Sequence, residues 1–276
     1  MASEEPYLSV PQEPETTAQL VELLDAVPSL YDRINAQARL APDPGSAARS
    51  DRVNTADWTY SDTSILAATF LVAAADHLAA WRALVVAKYQ PAFSHMSLIR
   101  TAMETASSAY WLVEPGVDSS ERRIRMFAAQ YATLDERRKF EAATGLVPDP
   151  PGKAASVRQR ELIGIAEATG LTTTNSKGRT VLARPMPGAI ELFDLYESVR
   201  EGAKPSWLYR FLSGYAHGYQ WAMVSNASGS GRELGPNIRV AMLSAHDSTA
   251  VQVTAYGVRA VRRAVDAYVA YRTAAR

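Results

Sequence analysis

Residues 94–121 read SHMSLIRTAMETASSAYWLVEPGVDSSE. Met96, Ile99, Met103, Ala106 and Tyr110 recur every three or four positions, the period of a helix with one apolar face. The spacing predicts a helix over Ser94–Val113, and Pro115-Gly116 stops it. Asp118 and Glu121 then stand three apart, the spacing of a reciprocal N-terminal cap, and a second helix is expected to run to Ala143. A helix, a hard stop and a newly capped helix in direct succession point to helices that must bury their apolar stripes against one another.

The flanking sequence extends the pattern. The most apolar run, ILAATFLVAAA at residues 65–75, is too short to cross a bilayer. It is read as the middle of a buried helix from Ser61 or Asp62 to Lys88, ended before Pro91. An earlier helix is expected over Thr17–Ala38, with Leu20, Leu23, Leu24, Val27 and Leu30 inward and Pro28 marking a kink. APDPGSAA, residues 41–48, reads as a connector. Residues 1–16 are acidic and carry prolines, with no basic segment leading into an apolar run, so a flexible arm is expected and no secretory signal.

Towards the C-terminus, VPDPPGKAA at 147–155 is a linker, followed by a short helix over Ser156–Thr169. Residues 170–187 are a loop in which Thr180–Ala183 can form a strand only if it finds a partner. Helices are expected over Ala189–Glu201 and Ser206–Val224, a loop over 225–237, and a last helix over Ile238–Tyr271, bent or divided at Ser248-Thr249 or Gly257. The expected fold is all-α, an antiparallel helical bundle of seven or eight helices, with residues 17–276 forming a single helical domain.

Composition limits the chemistry. Among 276 residues, 47% are apolar, enough for a real core. Lysine plus arginine and aspartate plus glutamate are both 29, so no net positive field draws a polyanion to the chain. Without cysteine there is no disulfide, thiolate metal site or thiol nucleophile, which fits a cytoplasmic protein. His77, His95, His217 and His246 form no metal-ligand spacing, and no glycine-rich phosphate loop or GxSxG elbow occurs, so neither metal nor cofactor is expected.

Candidate site residues come from two helices. On the Ser94–Val113 helix, Arg100, Glu104, Ser107, Ser108 and Trp111 share one face, and Arg100 and Glu104 can bridge at i, i+4. On the later helix, Arg210, Gly214, His217 and Trp221 share another face, and Ser213 stands four residues before His217. Asp76 and His77 interrupt the most apolar helix, which predicts that one of them is buried and paired. The charged run of Arg122, Arg123, Arg125, Asp135, Glu136, Arg137 and Arg138 reads as a solvated face.

Two stretches carry a resemblance. DHLAAWRALV (76–85) with SLIRTAMETASSAYWLVEPGVDSSERRIR (97–125) resembles a group of uncharacterised actinobacterial helical proteins. LYRFLSGYAHG (208–218), with six residues between Arg210 and His217, resembles the late helix of HEPN-like proteins, helical bundles that often cleave RNA in defence or stress responses. The resemblance implies a HEPN-like bundle, a homodimer and metal-independent cleavage of RNA, with His217 and Arg210 as catalytic groups and Arg100 and Glu104 as neighbours. Two other functions fit the residues. One is a small-molecule enzyme or binding protein, its organic ligand held by Trp111, Ser213, Trp221, Asp76 and His77. The other is a non-catalytic partner protein using the charged 118–143 face or the Asn226–Asn237 loop as its contact surface. None of the three needs a membrane.

Overall fold

The structure, a computed structural model, describes residues 13–53, 62–89, 91, 93–145, 154–196, 204–225, 231–235, 238–241 and 247–274. At its centre are three long helices: α4 (Thr63–Val86), α5 (Ser94–Val113) and α11 (Asp247–Arg272). The Asp62 carboxylate caps α4 by accepting from the Ile65 amide at 2.8 Å. Helix α5 returns against α4, and the buried His95 ring stacks on Trp81 at 4.9 Å. Trp81 donates its indole N–H to Thr254 of α11 at 3.0 Å, which ties the three helices at one level. Arg263 of α11 lies over Tyr110 of α5, and Gly257 faces Ile99 and Leu78, so α11 runs parallel to α5. Gly257 does not divide α11. It lets three helices approach where a side chain would crowd Ile99.

Around this centre pack α1 (Pro14–Leu24), α2 (Ala26–Arg39) and the short α3 (Ala47–Val53). The N-terminal helix breaks at Asp25 rather than at Pro28, because proline is tolerated in the first turn of α2, where its missing N–H costs nothing. Helix α1 begins at Pro14, inside the expected arm, and buried Thr16 donates to Asp247 at 3.1 Å. Residues 1–12 lie outside the described residues. The 41–48 connector runs into α3, whose signal was Ser46: its hydroxyl accepts from the Arg49 amide at 3.2 Å.

Helix α6 (Ser119–Thr144) leaves the centre and pairs with α7 (Ala155–Ala168). Its Asp118 cap forms at 2.8 Å, but the reciprocal half does not, because the Glu121 carboxylate turns to Arg125 and Arg184. Met126, Phe127, Leu162, Ala166 and Leu171 form a small second core there. Strands β1 (Thr172–Thr174) and β2 (Thr180–Leu182) pair antiparallel, so the expected strand has its partner inside the 170–187 loop. Helix α8 (Ala189–Tyr196) ends its described part at Tyr196, and 197–201 lie outside the described residues.

Helix α9 (Ser206–Ala216) stops before His217 and α10 (Gln220–Ser225) follows, so the expected Ser206–Val224 helix is two. Residues 238–241 are not helical: β4 (Ile238–Ala241) pairs with β3 (Gly231–Gly235), which also occupies part of the 225–237 loop; the described part of α11 begins at Asp247, and residues 226–230, 236–237 and 242–246 lie outside the described residues. Of the expected 147–155 linker, residues 147–153 lie outside the described residues. The protein is all-α apart from two hairpins, with more helices than seven or eight because two expected helices are split and α3 is added.

Helix α4 is long and apolar enough to cross a membrane, but half of its most apolar window is buried. Leu71, Ala74, Ala75, Leu78 and Trp81 are fully covered by neighbouring helices, as in a core helix.

Candidate functional site

Helix α9 lies against α5 in the opposite direction. Tyr209 meets Arg100, and Tyr215 packs on Phe93 with ring centroids 5.6 Å apart. Arg100 bridges Glu104 at 3.0 Å, donates to the Tyr209 hydroxyl at 2.9 Å and sits over the Tyr209 ring at 5.0 Å. Partial burial alone lowers the Arg100 pKa, but the Glu104 carboxylate and the Tyr209 hydroxyl outweigh it, so the group is held above its ordinary value. The expected i, i+4 pair therefore forms in a half-sheltered seam, and its third member, Tyr209, was missed. Only Tyr209's place beside Arg210 hinted at it.

Arg210 and His217 are both exposed, and neither makes a hydrogen bond or ion pair with Arg100 or Glu104. The expected four-residue cluster is thus not a single hollow. It is a positioned seam, Arg100–Glu104–Tyr209, beside an exposed face bearing Arg210 and His217. His217 caps α9, and its amide donates to the Ser213 carbonyl at 3.0 Å. The helical path therefore holds through His217 and keeps it on the side of Arg210, about 10.5 Å along the axis. Half-buried Ser213 contacts His217 through backbone alone.

Gly218, at φ +67°, then reverses the chain. Trp221 of α10 folds back across Gly214, where an added Cβ would lie 2.8 Å from the indole and 2.7 Å from Ala222. Gly214 is one turn beyond Arg210 and just under one turn before His217, so Trp221 seats between them. It reaches that face by a turn, not along one continuous helix as expected. Trp207, one turn before Arg210, is 37% exposed, Trp221 is 53% and Tyr219 is 55%, and the Tyr219 ring lies 5.6 Å from the His217 ring. Exposed scattered apolar residues are ordinary, but three large aromatics around one arginine and one histidine form a patch.

The other expected ligand residues lie elsewhere. Trp111 is 2% exposed, near the far end of α5, roughly 27 Å along the axis from the level of Phe93. Asp76 is exposed and His77 half-buried, both on α4, which does not touch α9, so neither is the buried, paired member expected. Ser107 and Ser108 are buried, and the Ser108 hydroxyl donates to the Glu104 carbonyl at 2.9 Å.

The solvated-face reading of the 122–138 charges needs correction. Arg122 and Arg125 are each 8% exposed. Arg122 binds Asp51 at 2.8 Å, and Asp51 also accepts from Ser119 at 2.6 Å and Tyr271 at 3.0 Å, knotting α3, α6 and α11. Arg125 donates to Glu114 at 2.6 Å, to Glu121 at 2.9 Å and to the Trp111 carbonyl at 2.7 Å. Asp135, Glu136, Arg137 and Arg138 behave as expected, pairing along the outer half of α6 with Glu141 and Lys139, while Arg123 is half-buried. The two buried arginines are therefore unavailable as a docking surface. No group of three or more histidine and acidic side chains that could hold a metal occurs among the described residues.

No family model, curated protein or solved structure matches this chain.

Proposed function

We propose that this is a cytoplasmic, HEPN-like protein that acts on single-stranded RNA through the α9–α10 face. The observation that carries the reading is the exposed strip of Trp207, Arg210, Trp221 and His217, flanked by Tyr219. Single-stranded RNA is bound by stacking its bases on exposed aromatic rings and pairing its phosphates with cations, and this strip interleaves both. The neutral net charge fits a local contact rather than long-range capture.

In the proposed reaction His217 removes the proton from a ribose 2'-hydroxyl. The 2'-oxygen forms a bond to phosphorus while the bond to the 5'-oxygen breaks, and the leaving oxygen takes a proton from water. The products are a 2',3'-cyclic phosphate and a 5'-hydroxyl end. Arg210 neutralises the charge that builds on the phosphoryl oxygens. Arg100 and Glu104 act at a distance, fixing α9 through Tyr209. A second copy of the chain, facing the first across this strip, supplies a second set of the same groups.

Purified protein is expected to cut single-stranded RNA in the presence of a metal chelator. His217→Ala should slow cleavage by about 10²–10⁴-fold, the usual worth of a positioned acid or base. Trp207→Ser with Trp221→Ser should weaken RNA binding by about 1–3 kcal/mol per lost stack. Cleavage by His217→Ala at the wild-type rate, with helix content unchanged, would falsify the assignment.

A further inference from the structure

A cleft of about 500 Å³ opens at the other end of α5, between the α5 C-terminus, α6 and α8. Trp111, Pro185, Pro187 and Leu195 supply its apolar walls, and Glu114, Arg125, Arg184, Glu191 and Tyr196 its polar ones. The size is that of a small-molecule site, and the walls are apolar and polar in comparable measure, which suits a molecule with a hydrocarbon part and a charged end.

The charges in the cleft are unevenly matched. Buried Arg125 is bound by Glu114 and Glu121, and Arg184 also binds Glu121. The Tyr196 hydroxyl donates to the same Glu114 oxygen at 2.9 Å, and burial together with that carboxylate pushes the phenol pKa up, so it stays a neutral donor. Two guanidinium groups are thus balanced by two carboxylates. Glu191 lines the cleft from the first turn of α8 and has no ion pair or hydrogen bond among the described residues. With exposed Glu191 added, the cleft holds one more carboxylate than guanidinium, so an entering anion meets an excess of negative charge, whereas an entering cation meets a carboxylate with no competing partner. The apolar walls select against a bare hydrated ion.

We infer that this cleft is a binding site for a small organic amine, its ammonium group received by Glu191 and its hydrocarbon part by Trp111, Pro185, Pro187 and Leu195. The site is separate from the α9–α10 face and involves none of the residues assigned to RNA.

The test uses 2-phenylethylamine and its carboxylate counterpart, 3-phenylpropanoate, titrated calorimetrically into the full chain. The amine should bind saturably with one site per chain and the carboxylate should not. Glu191→Gln should weaken the amine at least about tenfold, the order expected for losing one charged hydrogen bond. Leu195→Trp, which enlarges one exposed residue of the apolar wall without touching the cleft's charges, should weaken binding. Absence of amine binding, equal or tighter binding of the carboxylate, or amine binding indifferent to both variants overturns the inference. RNA cleavage by either variant should stay at the wild-type rate, so the two proposals fail separately.

Discussion

Single side chains decide how the charges of this protein are used, and His95 is the clearest case. It is fully buried, its Nδ1 faces the Pro91 carbonyl at 3.0 Å, and its ring stacks on Trp81. Burial is the dominant influence and lowers its pKa to about 4 from the ordinary 6.5, against the opposing hydrogen bond to Pro91. In the unfolded chain the imidazole takes a proton between pH 6.5 and 4, whereas in the folded chain it does not. The stability its neutral form allows is therefore intact above pH 6.5 and is lost as pH falls towards 4, by up to about 3 kcal/mol. Urea unfolding at pH 7 and pH 4.5 should show that loss, and His95→Gln should flatten it. An identical acid slope in the variant would place the titrating group elsewhere. Arg122 and Arg125 make the same point for reading sequence. Their letters are those of a solvated helix face, and only the arrival of Asp51 from α3 and Glu114 from the end of α5 makes their burial tolerable.

Elements were legible where their signals are local. The α4, α5 and α6 boundaries follow from Asp62, Pro91, Pro115-Gly116 and Asp118, each acting within one turn of itself. The α9–α10 break was not legible, because helix-forming residues flank it and Gly218 is a single weak breaker. Gly218 turns the chain at φ +67°, and Gly214 offers the seat where Trp221 and Ala222 rest on bare backbone. Gly214→Ala puts a methyl group within 2.7 Å of Ala222 and 2.8 Å of the Trp221 indole, so α10 must move. The expected cost is about 1–3 kcal/mol of overpacking, read as a lower urea midpoint, with weaker RNA binding because Trp221 leaves the strip. A midpoint and affinity equal to wild type would mean that α10 is not held there. The β3–β4 hairpin misled for a related reason: IRVA has helical and strand character alike, and pairing with residues 231–235 chose between them.

For the whole molecule, two cores of different size imply two levels of stability. The main cluster draws on α1–α6 and α8–α11, whereas α7 rests on the five-residue core it shares with α6 and Leu171. Amide exchange in α7 and the outer half of α6 should therefore be governed by a smaller opening energy than exchange in α4, α5 and the middle of α11. Equal protection in α7 and α5 would mean that the two cores unfold as one. Helical class, most helix boundaries, the absence of thiol chemistry and the Arg100–Glu104 pair all lay in the order of residues, since each depends on neighbours within a turn or two. Which charges are buried, that Trp111 and His217 stand at opposite ends of α5, and that an aromatic strip and a cleft beside α8 exist at all were settled by packing. These depend on residues tens to hundreds of positions apart, and side-chain spacing along one helix carries no information about what another helix lays against it.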